Sequence, residues 1–337
     1  MFGRRVFHWH VRGWFLGLIA IASGLQAGEQ PTSLPKPLPT IPQPEKNPAT
    51  VAKIALGKKL FFDPQLSSNG KISCATCHDP ARGFSNGKRF AQGVGEKKGS
   101  RHVPSLFNVA YGRKFFWDGR SASLEDQALE PIQNPSEMNM SLRTLVSLLN
   151  NNAEYRKAFQ NVFGGKATST RLAQAIAAYE RTILSNDTPF DRFLKGNKQA
   201  LSPAALRGMK LFFGDARCVL CHKGPNFSDD NFHNIGTPDP GNDPGRRRVT
   251  GKPSDQGKFK TPTLREVART APYMHNGHFK TLTEVVQHYN FGGVTDWAND
   301  FRDEQLQVLY LGEDQVEDLV TFLKEGLSSQ RSRTETR

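Results

Sequence analysis

Cysteine is scarce in this chain. Its 337 residues hold four, all within two five-residue stretches, Cys74-Ala75-Thr76-Cys77-His78 and Cys218-Val219-Leu220-Cys221-His222. None is left over for a disulfide framework or a separate metal cluster. Long apolar runs are missing as well. The run from Trp14 to Ala22 is too short to span a bilayer. With Arg4, Arg5 and Arg12 before it and small residues after it, it reads as an export signal over residues 1–27, cleaved near Ala27. An uncleaved anchor is the alternative. Sustained period-two alternation is absent too, which excludes a fold built on sheets and leaves a mainly α chain.

What the four cysteines do follows from their spacing. Two cysteines two residues apart and followed at once by histidine read as a c-type haem attachment site. The thiols add across the two vinyl groups of one porphyrin, and the histidine reaches the iron as its proximal ligand. A zinc knuckle, a disulfide or a thioredoxin-like pair would explain the cysteines, but none requires the histidine. Two motifs therefore predict two covalent haems, held by Cys74, Cys77 and His78 and by Cys218, Cys221 and His222. Covalent haem attachment and an export signal together suit a bacterial periplasm.

Acidic residues are few relative to basic ones, 32 against 45, for a net charge of +13. Removing residues 1–27 takes away three arginines and no acid, leaving +10, and four haem propionates would lower this further. The basic run Arg246-Arg247-Arg248 lies in a Gly/Pro/Asp-rich loop with no nucleic-acid motif. It reads as a solvated loop, or as a docking point for an acidic redox partner.

Taken in order, the Pro-rich stretch that fills most of residues 28–50 is an extended linker without a core. A helix is predicted from Val51, and residues 83–99, rich in Gly, Lys and Ser, form a long loop over one haem face. Helical periodicity returns at 142–162, 171–184, 281–289 and 314–327, with Ser202-Pro203 as a further helix start. The tail 328–337 has three arginines and no apolar residue, and is expected to be disordered.

The chain also repeats itself. Gly57-Lys58-Lys59-Leu60-Phe61-Phe62 matches Gly208-Met209-Lys210-Leu211-Phe212-Phe213. Past the motifs, Pro104 to Ala110 matches Pro262 to Ala268, Trp117-Asp118-Gly119 matches His275-Asn276-Gly277, and Leu124 matches Leu282. These later pairs share an offset of 158 positions. The chain thus reads as two duplicated cytochrome c-like haem domains, residues 51–195 and 196–327.

Duplication makes the differences informative. Tyr289, on the helix expected to return over the second haem, has Pro131 as its counterpart. A phenol oxygen can ligate ferric iron, whereas proline offers no ligand. That contrast predicts a filled sixth position at the second haem and an open one at the first. A core role for Tyr289 is the alternative, with His288 and Met274 as rival ligands. Near Pro131, the candidates for moving a proton between peroxide oxygens are Gln127, Glu130 and Glu137.

The paired motifs, Phe115-Phe116-Trp117-Asp118-Gly119-Arg120, Gln127, Pro131, Glu137-Met138 and Pro272-Tyr273-Met274-His275-Asn276-Gly277 resemble the bacterial dihaem cytochrome c peroxidases and the related MauG-type enzymes. The resemblance covers residues 51–327. It implies that the first haem is peroxidatic and that the second takes in or stores electrons. It also implies that Glu137 and Gln127 are the acid/base and its helper, and that Trp117 carries electrons or holes between the haems. The implied reaction is reduction of hydrogen peroxide to water with electrons from a small redox protein, a cytochrome c or cupredoxin. The alternatives are a MauG-like enzyme, in which a high-valent dihaem state oxidises a partner protein, and a non-catalytic electron carrier. A homodimer is compatible with it. Three positions depart from the peroxidase pattern. Val94 stands where reductively activated members keep a removable histidine, and Tyr289 replaces the second haem's methionine. His102 replaces an asparagine of an inter-domain calcium site, leaving only the carbonyls of Thr270 and Pro272.

Overall fold

The computed structural model describes residue 3, residues 34–239, 241–293 and 301–329. The signal segment and residues 330–337 of the tail lie outside the described residues. Helices follow one another as α1 (Val51–Phe62), α2 (Cys74–Cys77), α3 (Leu124–Gln133), α4 (Leu142–Asn151), α5 (Ala153–Phe163) and α6 (Ser169–Glu180), then α7 (Pro189–Leu194), α8 (Pro203–Phe213), α9 (Arg247–Thr250), α10 (Leu282–Asn290) and α11 (Glu313–Thr321). The described strands are a two-residue antiparallel pair, β1 (Phe232–His233) and β2 (Phe259–Lys260). The expected mainly α fold is what the chain adopts.

Local chemistry sets the helix starts. Thr50, Ser123 and Ser202 each accept a backbone N–H of the first turn, and Thr281 with Glu284 forms a capping box at α10; such caps satisfy donors that the helix itself leaves orphaned. The helix expected over 171–184 stops at Glu180, where the chain turns back through Thr182 and Ile183. The one expected over 314–327 ends as α11 and continues as a wider π turn, Phe322–Gly326.

Two helix crossings organise the chain, and they are copies. At Gly57 of α1, an added Cβ would lie 1.9 Å from the carbonyl oxygen of Ala175 in α6; at Gly208 of α8, it would lie 1.9 Å from that of Asp318 in α11. Only glycine allows so close a backbone approach. Around the first crossing lies a core that includes Leu56, Leu60, Ile132, Leu145, Phe159 and Leu172. Around the second lies an aromatic core in which Phe190, Phe212, Phe213, Phe227 and Phe322 meet ring to ring. Phe190 belongs to α7, so residues just before the expected 195/196 division pack with the second half. Residues 34–44 of the linker form no helix or strand, and its end is docked: the Asn47 amide donates to Glu125 (2.7 Å) and to the Gln174 carbonyl, and accepts from the buried Lys53 ammonium.

The repeat persists in backbone detail. Left-handed residues recur at Asn108 and Glu266, at Phe116 and Met274, and at Gly119 and Gly277. Isolated bridges recur at Phe115–Ser121 and Tyr273–Phe279. The connection from the motif histidine to the matched proline (Pro104, Pro262) is 14 residues longer in the second half; β1, α9 and β2 lie in that longer connection.

Candidate functional site

Both motifs open onto one cavity of about 1140 Å³, lined by Cys77, His78, Cys218, Cys221 and His222 among others. This exceeds the roughly 300–1,000 Å³ of ordinary small-ligand pockets. Ser73 caps α2, its N–H donating to the Thr76 hydroxyl, and sets the two thiols one helical turn apart. His78 Nδ1–H donates to the Phe84 carbonyl (2.9 Å), and His222 Nδ1–H to that of Phe227 (3.0 Å). In each case the accepting phenylalanine is left-handed. A bond at Nδ1 leaves Nε2 as the free lone pair, the tautomer an iron ligand requires. Burial holds His78 down to about 4 and His222 below its ordinary value, so both rings are neutral.

The thiols are free, and burial raises them: Cys74 strongly, Cys77 to about 11 and Cys218 to about 12. A redox pair or nucleophile needs the opposite, a stabilised thiolate. Among the described residues, no cluster of three or more His, Cys, Asp or Glu is arranged to hold a metal ion. Half-buried free thiols, a free imidazole nitrogen and a large shared cavity fit a macrocycle at each motif.

The two sides of the cavity differ. On the first, α3 presents Gln127 and Pro131, and the turn that follows presents Glu137. The Asn134 amide donates to the Glu137 carboxylate (2.8 Å), and burial lifts that carboxyl above the ordinary glutamate range. Val94 does not line the cavity; its N–H donates to the Glu137 carbonyl and steadies the turn. Glu130 is committed elsewhere, to Arg120 (2.7 Å) and the Ser121 hydroxyl. On the second side, α10 presents Tyr289, and no described residue hydrogen-bonds its hydroxyl. Burial raises the phenol. His288 turns away to the Ile235 carbonyl (2.9 Å), whereas Met274 does line the cavity.

Trp117 lines the same cavity, with its indole N–H on the His102 carbonyl (2.8 Å). The His102 ring is buried against the Lys88 carbonyl (3.0 Å) and Ser85, with the carbonyls of Thr270 and Arg89 within reach.

The comparisons agree with this geometry. Residues 51–199 match the family profile for di-haem cytochrome c peroxidase. Over 290 residues the chain is 41% identical to methylamine utilization protein MauG of Methylorubrum extorquens, covering 85% of this chain and 81% of that one. The chain belongs to the di-haem cytochrome c peroxidase family. It is also 36% identical to cytochrome c551 peroxidase of Pseudomonas aeruginosa, covering 91% of this chain and 88% of the relative. Among solved structures, it is similar to a MauG-like protein associated with microbial copper homeostasis, with a TM-score of 0.82 at 32% identity, over 89% of this chain and 95% of that one. As a member of the di-haem peroxidase family, the chain is an oxidoreductase with two haems that acts on peroxide.

Two residues escaped the sequence pattern: His233, which lines the cavity, and Arg246, which does not. His233 sits between Asp229 (3.0 Å) and Asp303; Asp229, the Cys221 sulfur and Asp303 raise its imidazole to about 11. Arg246, read as part of a solvated run, instead turns inward and donates to the carbonyls of Asp118 and Gly119; Arg247 and Arg248 are exposed. The signal for both was the extra length of the second half's connection, which no residue pattern inside it explained.

Proposed function

We propose that the chain is a periplasmic peroxidase that reduces hydrogen peroxide to water with electrons from a small redox protein. Cys74 and Cys77, and Cys218 and Cys221, attach the two haems covalently, with His78 and His222 as proximal ligands. Bound haem supplies the iron that takes peroxide and passes electrons. The chain's own residues do the rest. On the first side Pro131 leaves the approach open. Glu137, with Gln127 beside it, takes a proton at the near peroxide oxygen and returns it at the far one, which leaves as water. The observation that carries the reading is Glu137, half-buried and lining the cavity on the side where α3 offers no ligand. His102 occupies carbonyls that would otherwise serve a cation, so we propose that Thr270 and Pro272 hold no calcium here.

Glu137→Gln is the test. Haem content stays at two, and cleavage of peroxide, followed by stopped-flow absorbance, slows about a hundredfold or more. Because a base must be ionised, the wild-type rate rises with pH through a midpoint above the ordinary glutamate range, and the variant loses that limb. Unchanged kinetics would move the role to Gln127.

Tyr289 favours a second reading, a MauG-like oxidation of a partner protein. A phenolate on the second iron would lower its potential and hinder electron intake from an ordinary cytochrome. Tyr289→Met then raises that potential by on the order of 100 mV and gains turnover with reduced cytochrome. An unmoved potential makes Tyr289 a packing residue, and Met274 becomes the ligand to test.

A further inference from the structure

Trp117 stands on a hairpin tip that does not hold its own shape. Phe116 and Gly119 on either side of Trp117-Asp118 are both left-handed, with φ of 64° and 68°, conformations that need outside support in a non-glycine residue. That support comes from the longer connection of the second half. The Lys260 N–H of β2 donates to the Trp117 carbonyl (2.8 Å). Arg246 Nη1 donates to the carbonyls of Asp118 (2.7 Å) and Gly119 (2.8 Å). The Phe232 ring lies so close on Gly119 that an added Cβ would sit 2.2 Å from it. The Asp118 carboxylate, 1% exposed, accepts from Arg101 Nη1 (2.6 Å), whose Nε and Nη2 grip Asp243 at 2.6 and 2.9 Å.

Two of these contacts have twins. The His102 N–H donates to the His275 carbonyl (2.7 Å), as Lys260 does to Trp117. Arg89 Nε donates to the backbone carbonyl of Asn276 (2.9 Å), as Arg246 does to that of its equivalent, Asp118. The carboxylate itself has no twin: the Asn276 amide donates to the Pro238 carbonyl. A buried carboxylate tied through one arginine to a second carboxylate marks the tryptophan's hairpin alone among the two.

We infer that Arg246 and Asp243 are positioning residues for electron passage between the haem sites, acting by fixing the Trp117 indole. The inference rests on the proposal that Trp117 relays electrons. Transfer across a gap depends on the relay's placement, and a displacement on the order of 1 Å can cost a reaction about a hundredfold.

The experiment uses the full dihaem protein as wild type, Trp117→Phe, Arg246→Gln, Arg246→Lys and Asp243→Asn. A flash-generated reductant delivers one electron, and its redistribution between the haems is followed by absorbance. Arg246→Gln and Asp243→Asn slow redistribution by about tenfold or more, with two haems per chain and both potentials unchanged, and Arg246→Lys recovers part of the rate. Backbone exchange in the peptide spanning 115–121, read by mass spectrometry, rises in the same two variants. Wild-type redistribution in both, with Trp117→Phe slow, overturns the positioning role while the relay stands. Wild-type redistribution in Trp117→Phe overturns the relay and the inference with it.

Discussion

Pro131 and Tyr289 stand at the same place on equivalent helices, 158 positions apart, and they face the two sides of one cavity. Around them the backbone scarcely differs: left-handed residues, isolated bridges and glycine crossings recur in register. Side chains carry the divergence. Phe107 packs edge-on to Phe84 in the first half, whereas its counterpart Arg265 is 1% exposed and bidentate to Asp191 (2.7 and 2.9 Å). The comparison teaches that both copies keep one backbone geometry while the side chains at the cavity and in the cores were reassigned one at a time.

The largest way to break the comparison is to remove one site. Replacing Cys74 and Cys77 together by serine should take haem content from two per chain to one in a pyridine haemochrome assay, leaving the second haem's spectrum. Loss of both haems would show that the halves do not load independently.

Next comes the buried ion pair. Asp191→Asn strands the Arg265 charge in the second core and should cost about 3–5 kcal/mol, whereas Phe107→Leu, at the position equivalent to Arg265, should cost under about 1.5 kcal/mol. Denaturant titration of the dihaem protein measures both. Arg265 holds the Asp191 carboxyl below its ordinary value against the opposing effect of burial. The pair's stabilisation is thus present above the unfolded carboxylate value and lost as pH falls through the folded one, so wild type and Asp191→Asn should converge in acid. Equal costs in the two halves would contradict the reassignment.

The smallest effect sharpens the inheritance instead. Gly57→Ala and Gly208→Ala each press a methyl group against a crossing carbonyl, and each should destabilise by about 1–3 kcal/mol. Losses that differ widely between the two would mean that the crossings are not copies.

Much of this was legible in the sequence, because covalent chemistry and duplication leave literal patterns. The five-residue motifs marked the cavity, and the constant offset paired Pro131 with Tyr289 without any coordinates. Helix starts were readable where a cap residue announced them, as at Ser202 and Thr281. What escaped depends on contacts distant in sequence. Helix ends at Glu180 and Thr321 are set by packing rather than by a breaker. Asn47 is docked because the buried Lys53 ammonium needs an oxygen, which a Pro-rich composition does not announce. Arg246 looked like one of three equivalent basic residues, and only the folded loop distinguishes the one aimed at Asp118 and Gly119. His233 carried no motif at all; its partners, Asp229 and Asp303, lie four and 70 positions away.

We propose that one iron is open and that Tyr289 caps the other, the point on which the peroxide-removing and partner-oxidising readings part. Electron paramagnetic resonance of the fully ferric protein as isolated tests it directly. The account predicts one high-spin signal, from a first haem held by His78 alone, and one low-spin signal, from a second haem held by His222 and Tyr289, the latter turning high-spin in Tyr289→Phe. Two low-spin signals, or a low-spin signal that survives Tyr289→Phe unchanged, would contradict it.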